Sequence, residues 1–269
     1  WEAVSKEGRS ASVQFALDSA LLALWAEGHN ETVHGALGVD HSHLDLNGLI
    51  PDDVMEVEAA AQRLQAAGYR AVKLKVARRS VAEDIERVRA LHDGVGRDVT
   101  IRLDANRGWS LGEAMTFAEG IADIPIAFVE EPLQERDQLS DFAAQTNLSV
   151  ALDETTREAS SDLLDALSFV EAVVLKPTLL GGLRQVRRWV RAAAQHQMTP
   201  VISASYESGL GLRTLAALAA AWTAVPAGLS TYDRLADDLL SPPLPLNGPT
   251  VDLNALHAAT VDTAVLTAV

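Results

Sequence analysis

Only four lysines occur in 269 residues, Lys6, Lys73, Lys75 and Lys176, and two of them fall in the run Ala71-Val72-Lys73-Leu74-Lys75-Val76. Lysine alternating with apolar residues reads as a strand, and residues two apart on a strand share a face. Amines on one face of a largely buried strand are costly to desolvate, and burial and a neighbouring cation both lower a lysine pKa. A lysine so placed can be neutral near pH 7 and act as a base. The plainer alternative is a surface strand with solvated lysines. Arginine carries the positive charge elsewhere, so a pair of lysines here argues for a need for titratable amines.

Acidic groups follow in the same rhythm. Successive apolar runs end in Arg102-Leu103-Asp104-Ala105-Asn106, in Glu130-Glu131-Pro132 and in Asp153-Glu154, and the next ends in Lys176-Pro177. Alone, each acid would read as a helix N-cap or a solvated loop carboxylate. Three of them on consecutive strand ends would repel strongly without a cation between them. Oxygen donors in a chain without cysteine select a hard ion, Mg²⁺ first, with Mn²⁺ as its substitute. Asp104, Glu130 and Asp153 are therefore the expected metal ligands. Glu131 and Glu154 are expected to orient ligands or balance the lysines.

The elements that must hold these residues alternate. A helix is expected over Ser12–Glu27, with Gly28 as its stop. Strand-like runs follow at Val33–Val39, Ala71–Val76, Thr100–Leu103, Ala127–Val129, Val150–Leu152, Ala172–Leu175 and Pro200–Ser203, with a weaker eighth at Gly228–Tyr232. Helical patterns separate them at Asp53–Ala67, Val81–His92, and near 137–146, 160–168, 183–197 and 208–223. Ser80-x-x-Glu83 and Ser110-x-x-Glu113 both have the form of a capping box. This beat predicts an α/β fold of parallel strands and crossover helices, closed as a (β/α)8-type, TIM-like barrel. The rival, an open doubly wound sheet, lacks a G-x-G-x-x-G after the first strand. Four prolines, Pro242 to Pro249, interrupt regular structure, and 253–269 is expected to form a last helix.

Composition narrows the partners. A net charge of −15 argues against nucleic acid and anionic membrane surfaces, and means that an anionic small-molecule substrate needs a local positive site. Without cysteine there is no disulfide and no thiolate chemistry, which fits a cytoplasmic protein. No apolar run is long enough to span a membrane. The seven histidines show no metal spacing; His41 and His43 read as solvated, and Trp109 and Trp189 as packing residues. The oligomeric state is left open.

K-x-K, D-x-N, E-E-P, D-E and a further strand-end lysine, in this order, resemble the enolase superfamily and within it the muconate-lactonising subgroup. Leu175-Lys176-Pro177-Thr178-Leu179-Leu180-Gly181-Gly182-Leu183 and Val201-Ile202-Ser203-Ala204-Ser205-Tyr206-Glu207-Ser208-Gly209-Leu210-Gly211 are similar to the o-succinylbenzoate synthase family. The resemblance spans about residues 11–232. It implies a modified (β/α)7β barrel over 29–240. Residues 1–28 would then be the last helix of a capping domain, and 241–269 a segment packing back; the chain opens on Trp1 rather than Met.

The resemblance also implies a Mg²⁺-dependent dehydratase of menaquinone biosynthesis, with 2-succinyl-6-hydroxy-2,4-cyclohexadiene-1-carboxylate as substrate. In it Lys75 is the base and then the acid, and Lys176, on the opposite side, stabilises the enediolate. Lys73 holds the substrate carboxylate and lowers the pKa of Lys75. Arg102 and Asn106 orient substrate or ligands; the alternative for Arg102 is an ion pair with a carboxylate such as Glu131. Ser203, Ser205 and the amides near Gly209 receive the second substrate carboxylate, or else form the turn that caps the next helix. Other readings are an N-acylamino acid racemase, a dipeptide epimerase, or a metal-binding barrel fragment without turnover. Those isomerases more often have glycine where this chain has Thr178, and the epimerases carry an acidic pair near strand eight that Asp233 and Asp237 match poorly.

Overall fold

A computed structural model describes residues 8–263. The ends of the chain, including Lys6, lie outside the described residues; the helix expected over 253–269 is corrected to Leu253–Ala258, because Thr260–Val261 pairs as a strand, and its part from 264 on is not described. The first helix, α1 (Ala11–Gly28), begins where the Ser10 hydroxyl accepts from the Val13 amide. Next comes a one-turn helix, α2 (Val33–Ala36), capped by the Thr32 hydroxyl. This corrects the strand expected at Val33–Val39. Thr32 offers the backbone a helix start, and the first strands lie later as β1 (His43–Asp45) and β2 (Gly48–Ile50). Three-residue strands are too short to leave a periodic signature.

The alternation then runs α3 (Val57–Ala66), β3 (Ala71–Lys75), α4 (Val81–Val95), β4 (Thr100–Asp104), α5 (Leu111–Gly120), β5 (Phe128–Glu130) and α6 (Leu139–Gln145). It continues with β6 (Val150–Leu152), α7 (Glu154–Glu158), β7 (Val170–Leu175), α8 (Pro177–Leu180), α9 (Leu183–Gln195), β8 (Thr199–Ile202) and α10 (Gly209–Trp222). The tail adds β9 (Leu240–Ser241), β10 (Thr250–Asp252), α11 (Leu253–Ala258) and β11 (Thr260–Val261). Both capping boxes form: Ser80 and Ser110 accept from the third helical amide, and Glu83 and Glu113 reach back to the cap amide. The helix expected near 160–168 is a 3-10 stretch, Ser161–Ala166.

The chain divides into two compact units, one made of Trp1–Leu46, Leu175–Arg191 and Pro200–Val269, the other of Asn47–Val174 and Ala192–Thr199. In the second unit β2 to β7 pair in parallel, in sequence order. Val72, Leu74, Leu103, Val129, Val150 and Leu152 are buried between sheet and helices. Each such side chain contributes about 1.5–3 kcal/mol on burial. Helix α4 turns Val88, Leu91 and Val95 inward at spacings of three and four. Gly94 lets α4 approach α3 closely, since a Cβ there would meet Ala61 and the Glu58 carbonyl at 2.6 and 2.7 Å.

In the first unit α1 packs on α2, α8 and α10. Asp18 of α1 is buried, and its carboxylate accepts from Gln14 Nε2 at 2.7 Å and from the Leu183 amide at 2.8 Å. It caps the start of α9 from outside that helix. Gly182, at φ 94°, has no room for a Cβ against the Asp18 carboxylate. The eighth strand, expected at Gly228–Tyr232, is reduced to two bridging residues, Ala227 beside Leu46 and Gly228 beside Ser203. Pro226 cannot donate before them, and Tyr232–Arg234 turns after them. Among the described residues no helix is long and apolar enough to cross a membrane.

Candidate active site

Strand register in the second unit sets the chemistry in rows. Lys73 lies opposite Arg102 and Arg102 opposite Phe128; one step on, Lys75 lies opposite Asp104 and Asp104 opposite Glu130. One row thus carries two cations beside an aromatic ring, and the next a cation beside two acids. Asp104, Glu130 and Asp153 are 3%, 2% and 0% exposed, so their charges are felt at low dielectric.

Lys73 Nζ lies 2.6 Å from Glu130 Oε2 and 2.9 Å from Asp104 Oδ2. Burial pushes this amine down, but Glu130 and Asp104 outweigh it and hold Lys73 well above the ordinary lysine value. Cationic crowding that lowers pKa is therefore not the state of Lys73: its nearest charges are carboxylates. Glu130 is pushed up to about 7, by burial first and then by Asp104 and Asp153, against the pull of Lys73. A single ammonium serves two carboxylates, with Asp153 near enough to act on both Lys73 and Glu130. Among the described residues no three carboxylate or imidazole groups stand close enough to form a ready metal cage.

Lys75 is less enclosed. Its Nζ donates to Asn106 Oδ1 at 2.6 Å and stands 3.5 Å from Asp104 Oδ2. Asn106 Nδ2 donates in turn to Glu154 Oε1 at 3.2 Å, so a polar chain links the ends of β3, β4 and β6. Glu154 is raised by burial and by Asp153. Arg102 donates to Asn47 Oδ1 at 3.4 Å and lies over the Phe128 ring at 5.4 Å, and burial lowers its pKa.

The partner of Glu131 is Arg107, a residue the sequence reading passes over. Glu131 Oε1 accepts from the amides of Asp153 and Thr155 at 3.0 and 2.7 Å, while Oε2 accepts from Thr155 Oγ1 at 3.1 Å and Arg107 Nε at 3.0 Å. Arg107 also makes a two-pronged pair with Glu158 at 2.7 and 2.9 Å, which with Glu131 holds its pKa above the usual arginine range. Asn106, Arg107 and Glu131 have φ of 44°, 57° and 42°, a conformation that costs energy outside glycine and clusters at functional sites. Glu131 thus fixes the backbone that carries Asp153.

The remaining candidates belong to the first unit. Lys176 is half-buried at the N-cap of α8. Ser203 Oγ donates to the Gly228 carbonyl at 3.2 Å, and the Ser205 amide donates to Glu207 Oε2 at 2.6 Å. The Gly209 amide donates to Asp238 Oδ1 at 2.8 Å, so it is already engaged by a carboxylate of this chain. Ser208 is the N-cap residue of α10 without a side-chain cap bond. Trp109 and Trp189 are buried, as expected for packing, and Trp109 lies 4.3 Å from the Phe117 ring.

The sequence profile of the enolase C-terminal domain-like family matches residues 56–257. The o-succinylbenzoate synthase of Yersinia pseudotuberculosis is 37% identical over 244 residues, covering 87% of this chain and 71% of that protein. Protein PHYLLO of Arabidopsis thaliana is 36% identical over 220 residues, covering 75% of this chain but only 13% of PHYLLO. Among solved structures, a dipeptide epimerase from Enterococcus faecalis superposes with a TM-score of 0.78 at 23% identity, covering 91% of this chain and 73% of that one. That likeness speaks for the fold alone: the expectation of an enolase-type α/β barrel stands.

Proposed function

Because the chain belongs to the enolase C-terminal domain-like family, we propose that it is an o-succinylbenzoate synthase. The observation that carries this reading is the identity of 37% to a synthase across 87% of the chain. It is supported by the row of Lys75, Asp104 and Glu130 at adjacent strand ends.

In donor type the set suits a hard divalent ion: three buried carboxylates without sulfur or imidazole, two of which share the Lys73 ammonium. Asp104, Glu130 and Asp153 would hold Mg²⁺. When bound, the ion supplies Lewis-acid stabilisation of the negative charge that grows on the substrate carboxylate. Lys75 takes the proton from the ring carbon bearing that carboxylate. The C–O bond of the ring hydroxyl then breaks, and the departing hydroxide takes a proton from the Lys75 ammonium. The products are aromatic o-succinylbenzoate and one water. Lys176 supplies a fixed positive charge to the enediolate, Lys73 and Arg102 receive substrate carboxylate charge, and Asn106 orients the Lys75 amine. Ser203, Ser205 and the loop at Gly209 shape the site for the succinyl arm, and α1 is the last helix of a capping domain.

Turnover of the cyclohexadiene substrate with Mg²⁺ tests the proposal. Lys75→Ala and Lys176→Ala should each lower kcat by roughly 10² or more, the first as loss of a general acid–base group does, the second as loss of a charge that stabilises the transition state does. Fast exchange of the α-proton of N-acylamino acids or dipeptides in D₂O, without dehydration by the wild-type protein, would turn the assignment to an isomerase. A folded protein that binds Mg²⁺ and does neither would be a barrel without catalysis.

A further inference from the structure

Helix α9 bears Arg184, Arg187, Arg188 and Arg191. Spacings of three and four residues place all four on one face, and all four are exposed. On a chain of net charge −15 this is a local reversal of sign. Arg188 donates to Gln185 Oε1 at 3.1 Å, and among the described residues none of the four forms an ion pair with a carboxylate. Elsewhere the arginines find acids readily, as Arg89 does with Asp123 and Arg107 with Glu158. Four like charges at this spacing weaken a helix unless something answers them.

The same arginines edge a hollow of ≈ 420 Å³ whose other walls include Leu22, Leu37 and the half-buried Trp222, all within the first unit. That volume is within the range of small-molecule pockets. We propose that the hollow binds a compact organic polyanion: two or more phosphate or carboxylate groups on the arginine face, and a flat or aliphatic body against Trp222 and the leucines. Guanidinium forks match the oxygens of phosphate and carboxylate in pairs. Seven residues of helix span about 10 Å, enough to follow a di- or triphosphate. An indole offers a face for a planar ring. The size of the ligand follows from the charge. A nucleic acid or an anionic membrane would meet the field of the whole acidic molecule, whereas a ligand no longer than about one Debye length, roughly 8–10 Å, meets the arginines.

The inference is independent of the proposed chemistry, and none of its residues takes part in that chemistry. ATP in metal-free, chelator-containing buffer is the probe, with tripolyphosphate and adenosine as its halves, followed by titration calorimetry of the full chain. Expected is one saturable site that weakens roughly tenfold between about 50 and 200 mM salt. Tripolyphosphate should bind several-fold more weakly and adenosine not measurably. Arg187→Gln with Arg191→Gln should lose roughly tenfold or more in ATP affinity, and Trp222→Leu should lose several-fold, with turnover unchanged and the melting temperature not lowered in the arginine variant. Absence of saturable ATP binding, equal binding by the arginine variant, or tripolyphosphate binding as well as ATP would each overturn the proposal. So would arginine-dependent capture of phosphatidylserine vesicles or poly-glutamate without ATP binding.

Discussion

Glu131 accepts from two backbone amides, a hydroxyl and a guanidinium, and is 1% exposed. It touches the amide of Asp153 but is too fully engaged to be a ligand itself. Its effect on chemistry is therefore positional. Glu131→Gln keeps the shape, yet it removes the charge opposite Arg107 and puts a donor where only donors point. Arg107 keeps Glu158, so the loss is one of charged hydrogen bonds and should cost about 1–3 kcal/mol in urea unfolding. Under the proposed function it should also weaken Mg²⁺ binding roughly tenfold or more, as loss of a ligand-orienting group does. Unchanged Mg²⁺ affinity in a folded Glu131→Gln protein would detach Glu131 from the acids around it.

At the scale of elements, the two serine-led capping boxes are the clearest link from sequence to structure. Ser80→Ala and Ser110→Ala should each cost about 1 kcal/mol, and the two losses should add, because α4 and α5 have separate caps. Chemical denaturation of the single and double variants checks both statements. The same boxes are legible in the sequence because their signal is local, four residues long and chemically particular. So are the acids at 104, 130 and 153, which repeat at the ends of apolar runs. Arg107 is not legible. Its reach to Glu131 and Glu158 depends on left-handed backbone at Asn106 and Arg107, which no hydrophobic period encodes. The first strands escape a periodic reading for a related reason: β1 and β2 are held by partners distant in sequence, such as Val251 and Val72, not by a run of their own. The raised state of Lys73 also required the third dimension, since a strand pattern shows two amines on one face but not the carboxylates that meet them.

For the whole molecule, stability should carry a pH signature from one buried acid. Asp84 is 1% exposed and accepts from the Ala77 amide at 2.7 Å. Burial pushes it up from an ordinary 3.8 to about 6, against the amide bond and Arg87. Between about pH 4 and 6 the folded chain keeps a proton that the unfolded chain has released, so this group costs stability progressively as pH rises through that window. Asp84→Asn should match the wild type near pH 4 and exceed it above pH 6, by roughly 2–3 kcal/mol if the whole shift is realised. Urea midpoints across that range decide it; parallel curves for the two proteins would refute it. The capping of α9 by Asp18 has a different consequence. Anyone who shortens this protein to its βα repeats, starting past Gly28, also removes the carboxylate that seals the helix of four arginines, and a glycine shaped to admit that acid is left lining a gap. Grafting the repeats onto another leader will succeed only if the new leader brings its own acid to the same spot.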